Sequence, residues 1–304
     1  MKKAVVTGAN GFIGTALCRE LSAEGMEIYA VVRGREEDIS GIDNLPKLKV
    51  VYSNMADFRN LADKLPDGID ILYHLAWAGS AGILRGDADI QVKNVQYACD
   101  TVKACADMGC PRLVFASSIM EFEIEALMKT DSTPAVNTLY CSAKVAADYM
   151  ARTIAGVLGI DYIRAVISNV YGPEEMSPRL INTSLRKMLN REHCSFSAGE
   201  QTYDFIYITD AAKAFVSIGK EGVPNRTYYI GSQSPRPLKE FLYELRDQVD
   251  PEMEIGIGEL PFTGVSLTYN EFDIYAVKND TAFVPKVSFA EGIRKTMDWI
   301  RENG

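Results

Sequence analysis

The sequence predicts an α/β fold: a doubly wound parallel sheet with helices on both faces, joined to a smaller C-terminal α/β part. Three observations predict it. Short β-branched runs alternate with amphipathic stretches through the first half of the 304 residues, a pattern that calls for parallel strands linked by crossover helices. The first strand runs directly into a glycine-spaced turn that opens a helix, TGANGFIG at 7–14. Beyond about Tyr171 the alternation breaks, and prolines at 173, 178, 224, 235, 237, 251, 261 and 285 punctuate shorter elements.

Taken in order, 3–7 is a strand, and 12–24 is a helix because Ile13, Leu17 and Leu21 recur at helical spacing. Residues 28–32, 48–52 and 69–75 read as strands, with a helix near 58–64. A long helical pattern covers 88–108, followed by a strand at 112–117, a helix at 139–158 and a strand at 161–167. A return to the sheet is expected near 202–220, and 289–301 is an amphipathic helix with Ile293, Met297 and Ile300 on one side. The expected division is a dinucleotide-binding domain over 1–172 and about 201–235, with a smaller substrate-binding domain over about 173–200 and 236–304. No repeat or low-complexity segment interrupts it.

The net charge of −9 argues against nucleic acid as a partner, because phosphate contacts need a basic surface. No apolar run approaches the ~18 residues of a membrane span. The N-terminal apolar run is soon broken by Gly8, Asn10 and Gly11, so no signal peptide is expected. The six cysteines (18, 99, 105, 110, 141 and 194) form no C-x-x-C pair, and His74 and His193 lie far apart. Reduced thiols, no metal and a cytoplasmic home are therefore expected.

The glycine turn carries the first chemical signal. Gly8, Gly11 and Gly14 have the G-x-x-G-x-x-G spacing in the strand–turn–helix context that a dinucleotide requires. Gly8 permits the tight turn and Gly11 the approach of a pyrophosphate. Gly14 permits close helix packing, and Asn10, Phe12 and Ile13 complete the loop at the helix N-terminus. At the end of the second strand, where an acid would bind the ribose of NAD, stands Arg33, with Glu36, Glu37 and Asp38 held back. A guanidinium suits a 2′-phosphate, so NADP(H) is the preferred cofactor and NAD(H) the alternative.

Tyr140 and Lys144 lie four apart at a helix start and share a face, one helix after a strand that ends in Ser117 and Ser118. A phenol, with an ordinary pKa near 10, becomes a usable acid–base group when a neighbouring ammonium favours its anion. A serine hydroxyl at the same oxygen would stabilise developing charge.

TGANGFIG, HLA at 74–76, the serine pair, YCSAK at 140–144 and NVYGP at 169–173 occur in this order in the chain. In this the chain resembles the extended short-chain dehydrogenases/reductases, the NAD-dependent epimerase/dehydratase family, over nearly its whole length. The resemblance implies Ser118, Tyr140 and Lys144 as the catalytic set, with Tyr140 and Lys144 also touching the cofactor. It places Asn54 and Met55 at the adenine, although Asp is usual where Asn54 stands. Leu75 and Ala76 would run along the cofactor, with His74 structural, and Asn94 would place the active-site helix and a proton-relay water. The substrate side would hold Trp77, Met120, Glu121, Asn169 and Tyr203. Trp77 reads equally as a packed wall, and Glu121 also reads as a solvated loop carboxylate.

The resemblance also bears on the reaction. Sugar-nucleotide 4,6-dehydratases carry an Asp-Glu pair after the Ser/Thr, and epimerase–reductases a Cys one place later; here Ile119 and Met120 occupy those places. Hydride transfer is what remains, which suits an NADP(H)-dependent ketoreductase of a 4-keto-6-deoxy nucleotide sugar. The alternatives are a nucleotide-sugar 4-epimerase with retained NAD and a non-catalytic dinucleotide-binding sensor or scaffold. Where many relatives have Arg-Asp-Phe, Tyr203-Asp204-Phe205 stands, leaving Arg179, Arg186 or Arg236 as diphosphate partners. A homodimer through helices 88–108 and 139–158 is expected.

Overall fold

The structure, a computed structural model, describes residues 1–130, 133–269 and 272–303. Strand β1 (Lys3–Thr7) leads into α1 (Phe12–Ala23), then β2 (Glu27–Val32), β3 (Leu48–Tyr52), β4 (Ile71–His74) and α2 (Ala88–Asp107). Next come β5 (Arg112–Ser118), α3 (Phe122–Thr130), α4 (Thr138–Leu158) and β6 (Asp161–Ile167). Short strands β7 (Asn169–Tyr171), β8 (Ser195–Phe196), β9 (Thr202–Tyr203) and β10 (Phe205–Tyr207) follow, with α5 (Leu180–Leu189) after β7. The rest comprises α6 (Ile208–Glu221), β11 (Thr227–Ile230), β12 (Arg236–Pro237), α7 (Leu238–Val249), β13 (Gly256–Ile257), α8 (Ala276–Thr281) and α9 (Phe289–Asn303).

Seven strands form the main sheet in the order β11-β6-β5-β4-β1-β2-β3, every pair parallel. Alternation along β1 builds the two layers. Ala4 and Val6 face a cluster containing Leu17 and Leu21 of α1 and Phe215 and Ile218 of α6. Val5 faces the opposite cluster, with Ala98 and Val102 of α2 and Ala147 and Ala151 of α4. Strand order reverses between β1 and β4, which opens the crevice where doubly wound sheets bind ligands.

The helix expected near 58–64 is instead a 3-10 segment, Met55–Lys64, broken at Asn60 (φ −105°, ψ 20°). The strand expected within 202–220 does not join the sheet: β9 pairs with β12 and β10 with β7. Buried Asp204 holds this segment elsewhere, accepting bonds from Tyr229 OH (2.8 Å) and the Ser232 amide (3.1 Å). The strand that completes the sheet is β11, and α3 was not anticipated. The C-terminal helix forms as expected, with Ile293, Met297 and Ile300 buried, and Phe289 packs on Phe241 of α7 at 4.9 Å.

All six cysteines are buried free thiols. Among the described residues no His/Cys/Asp/Glu cluster could hold a metal ion, and no helix is long and apolar enough to cross a membrane.

Candidate active site

The carboxyl ends of β1, β4 and β5 converge at the crevice. Gly8 adopts φ +68°, and a Cβ there would lie 2.9 Å from the Ala76 amide nitrogen; the glycine turn and the Leu75–Ala76 backbone are thus pressed together. A Cβ on Gly14 would fall 2.0 Å from the Gly8 carbonyl oxygen, so helix and strand pack as only glycine allows. Gly11 caps α1 with no capping side chain and no acid in the first turn, which leaves backbone N–H groups free to receive an anion. The shape of this turn fits a dinucleotide pyrophosphate, which the amides of Phe12, Ile13 and Gly14 at the start of α1 would hold, while the Gly11 amide closes the turn on the Gly8 carbonyl at 3.1 Å.

The ribose-reading corner differs from expectation. Arg33 Nε donates to Glu37 Oε1 at 2.6 Å, and Asn10 donates to Glu37 Oε2 (3.4 Å) and to the Asp38 carbonyl (3.2 Å). The guanidinium expected to meet a 2′-phosphate is paired with a carboxylate at the protein surface. Asn54 caps the 3-10 segment by accepting from the Ala56 amide at 3.1 Å, and Met55 packs against the core beside it.

His74 is structural. The Thr7 hydroxyl and His74 Nδ1 share a hydrogen bond at 3.0 Å, and the Ala76 amide donates to the same hydroxyl oxygen (3.3 Å). Burial, with Lys144 nearby, lowers its pKa to about 3.

Ser118 ends β5 and caps the 3-10 turn Ile119–Glu121, its hydroxyl accepting from the Met120 amide at 3.2 Å. Burial raises the pKa of the Tyr140 phenol, and the neighbouring Ser118 hydroxyl, Arg85 and Arg179 act against that rise. The Arg85 guanidinium carbon stands 4.4 Å from the Tyr140 ring centre. Lys144 Nζ donates to the Ala116 carbonyl (2.9 Å) and lies 3.7 Å from the Trp77 ring centre. Burial lowers the Lys144 pKa to about 8, against the pull of Glu121 and Asp148. Asn94 bonds the loop after β4 rather than the helix it was expected to place: it accepts from the Ala78 amide (3.0 Å) and donates to the Ala78 carbonyl (2.8 Å).

A cleft of about 930 Å³ opens beside these groups, lined by Ser118, Met120, Tyr140, Asn169 and Tyr203 among others. Two expected substrate residues lie outside that lining. Trp77 is turned onto Lys144, its indole N–H donating to Gln91 Oε1 at 3.0 Å. Glu121 is 2% exposed; its carboxylate bonds the Ser117 hydroxyl, the Ser118 amide (3.0 Å) and Arg164 (2.5 Å). It is thus neither a sugar contact nor a solvated loop acid, because a partly buried arginine claims it. Arg164 also meets Asp148 at 3.5 Å, and Asp148 accepts from Tyr162 at 2.9 Å. Of the three arginines considered for a diphosphate, Arg179 lines the cleft; Arg186 bonds Asn182 and Arg236 bonds Glu244.

Arg85 and Glu123 also line the cleft, and neither was singled out from the sequence. Arg85 sits in a short 3-10 turn, Gly82–Gly86, that carries no periodic signal. Glu123 stands in the first turn of α3, a helix that the sequence pattern does not announce.

Residues 4–231 match the NAD dependent epimerase/dehydratase family. The chain is 25% identical to dTDP-glucose 4,6-dehydratase of Escherichia coli, across 99% of this chain and 94% of that protein. Among solved structures it resembles the Bordetella bronchiseptica enzyme WbmF in complex with NADH, with TM-score 0.80, 20% identity and coverage of 99% and 92%. It also resembles a UDP-N-acetylglucosamine 4-epimerase from Methanobrevibacter ruminantium, with TM-score 0.79, 19% identity and coverage of 100% and 99%. These two likenesses are of fold.

Proposed function

The chain belongs to the NAD dependent epimerase/dehydratase family, and from that premise we propose that it transfers hydride at a carbonyl of a nucleotide-linked sugar. The observation that carries the reading is that Ser118 and Tyr140 line the same cleft. A bound nicotinamide supplies the hydride exchanged with the substrate carbon. Tyr140 gives its proton to the carbonyl oxygen, or takes one from the alcohol. Ser118 donates a hydrogen bond to that oxygen as charge develops. Lys144, anchored on the Ala116 carbonyl, fixes the helix face that carries Tyr140.

The favoured substrate is a 4-keto-6-deoxy nucleotide sugar, reduced at C4. Epimerisation at C4 is the second reading, supported by the carboxylate at the ribose corner: Glu37, placed by Asn10 and Arg33, suits the ribose 2′-hydroxyl of NAD. The same pairing shifts our cofactor choice from NADP(H) to NAD(H). We further read 1–172 and 201–235 as the dinucleotide-binding part, with 173–200 and 236–304 completing the substrate side. A homodimer through α2 and α4 is supported by exposed Val92 (69%) and Tyr149 (61%), whereas Val102 is spent on the protomer's own core. The test is turnover of UDP-, dTDP-, CDP- and GDP-linked keto sugars with NADH against NADPH. Hydride transfer with NADH preferred supports the reading; binding of both ligands without transfer counts against it.

A further inference from the structure

Three glutamates follow Ser118, and the fold sends each to a different place. Glu121 turns inward to Arg164. Glu125 lies on the outer face, paired with Lys129 at 3.3 Å. Glu123 lines the substrate cleft together with Ser118, Tyr140, Arg85 and Tyr203. Its orientation is set by its neighbour: Phe122 packs edge-on against Phe272 at 4.4 Å and beneath Arg164 at 5.4 Å, which fixes the first turn of α3.

We propose that Glu123 is a second acid–base group of this cleft, moving a proton between itself and the carbon next to a sugar ketone held by Ser118 and Tyr140. The inference rests on the keto-sugar reading above. In the step the carboxylate takes the proton. The C–H electron pair becomes the C=C bond of an enolate, whose oxygen faces the Ser118 and Tyr140 hydroxyls, and return of the proton reverses it. No oxidant or reductant is consumed.

The surroundings suit the task. Glu123 Oε2 accepts from the Cys141 thiol at 3.6 Å, a weak donor. Burial raises the Glu123 pKa, and the Cys141 bond and Arg85 act in the opposite direction. Tyr203 lines the same cleft, and after burial the charge on Glu123 helps to raise its pKa. A carboxylate moved toward neutrality is better matched to proton abstraction than an exposed one. Ile119 and Met120 leave the usual acid–base places apolar, and Glu123 supplies a carboxylate from one turn further along.

The experiment needs no added cofactor. The protein as purified is held with dTDP-4-keto-6-deoxyglucose in D2O, and deuterium entering C3 or C5 is read by proton NMR, with ligand binding followed by thermal shift. Wild type is expected to exchange the proton faster than ligand alone. Glu123→Gln should lose about 100-fold of that rate while keeping the thermal shift, and Glu123→Asp should retain part of it. Wild-type binding without exchange, or exchange by Glu123→Gln at the wild-type rate, overturns the inference and leaves the hydride-transfer reading standing. No thermal shift with any keto sugar overturns both.

Discussion

Replacing Glu121 by alanine should destabilise the protein by about 3 kcal/mol while leaving substrate affinity nearly unchanged. The magnitude follows from its contacts. The carboxylate is 2% exposed and faces Arg164 at 2.5 Å, and removing one partner of a buried ion pair costs roughly 3–5 kcal/mol. Arg164 keeps Asp148 at 3.5 Å, which holds the loss near the lower bound. The Ser118 amide also loses its acceptor at 3.0 Å, worth about 1 kcal/mol. Urea unfolding of Glu121→Ala, Arg164→Met and the double variant reads the effect, and the cycle should show coupling of about 2 kcal/mol. Catalytic turnover should fall as well, because Glu121 and Ser118 cap one another; KM should move little. A Glu121→Ala protein within about 0.5 kcal/mol of wild type, with KM raised tenfold or more, would refute this reasoning and return Glu121 to the sugar pocket.

Two further outcomes follow from the same geometry. Burial lowers the Lys144 pKa to about 8 from an unfolded value near 10.4. The unfolded chain therefore binds more protons between these values, and folding stability should rise with pH across that window. Between pH 8 and 10 wild type should gain about 2 kcal/mol over Lys144→Met, read by urea unfolding at both pH values; a difference independent of pH would contradict it. Gly14→Ala would place its Cβ 2.0 Å from the Gly8 carbonyl oxygen, so it should cost about 2 kcal/mol and abolish dinucleotide binding measured by calorimetry. Wild-type melting and binding would show that the turn has room to spare.

Much of the scaffold was legible because it obeys local rules. The glycine turn, the alternating Ala4–Val5–Val6 pattern and the helical spacing in α1 and α9 each specify their own geometry. The placement of the proposed catalytic residues was legible for a similar reason: Tyr140 and Lys144 share a helix face, and Ser118 sits at a strand end. Side chains whose role depends on distant partners were not. Glu121 and Glu123 look alike in sequence, yet Arg164, forty-three residues on, pulls one inward, while the anchoring of Phe122 on Phe272 leaves the other in the cleft. Arg33 reads as a free cation until Glu37 is seen to close on it. The pairing of β9 and β10 outside the main sheet was hidden likewise, because buried Asp204 takes its partners from Tyr229 and Ser232.

The central claim, hydride transfer governed by Ser118 and Tyr140, is met most directly by following deuterium from C4-deuterated NADH into a 4-keto nucleotide sugar by mass spectrometry. The account predicts one deuterium at the former carbonyl carbon with wild type, and a loss of 100-fold or more, on the order expected for general acid catalysis, with Tyr140→Phe. Transfer by Tyr140→Phe at the wild-type rate would contradict it, as would no transfer by a wild-type protein that binds both ligands.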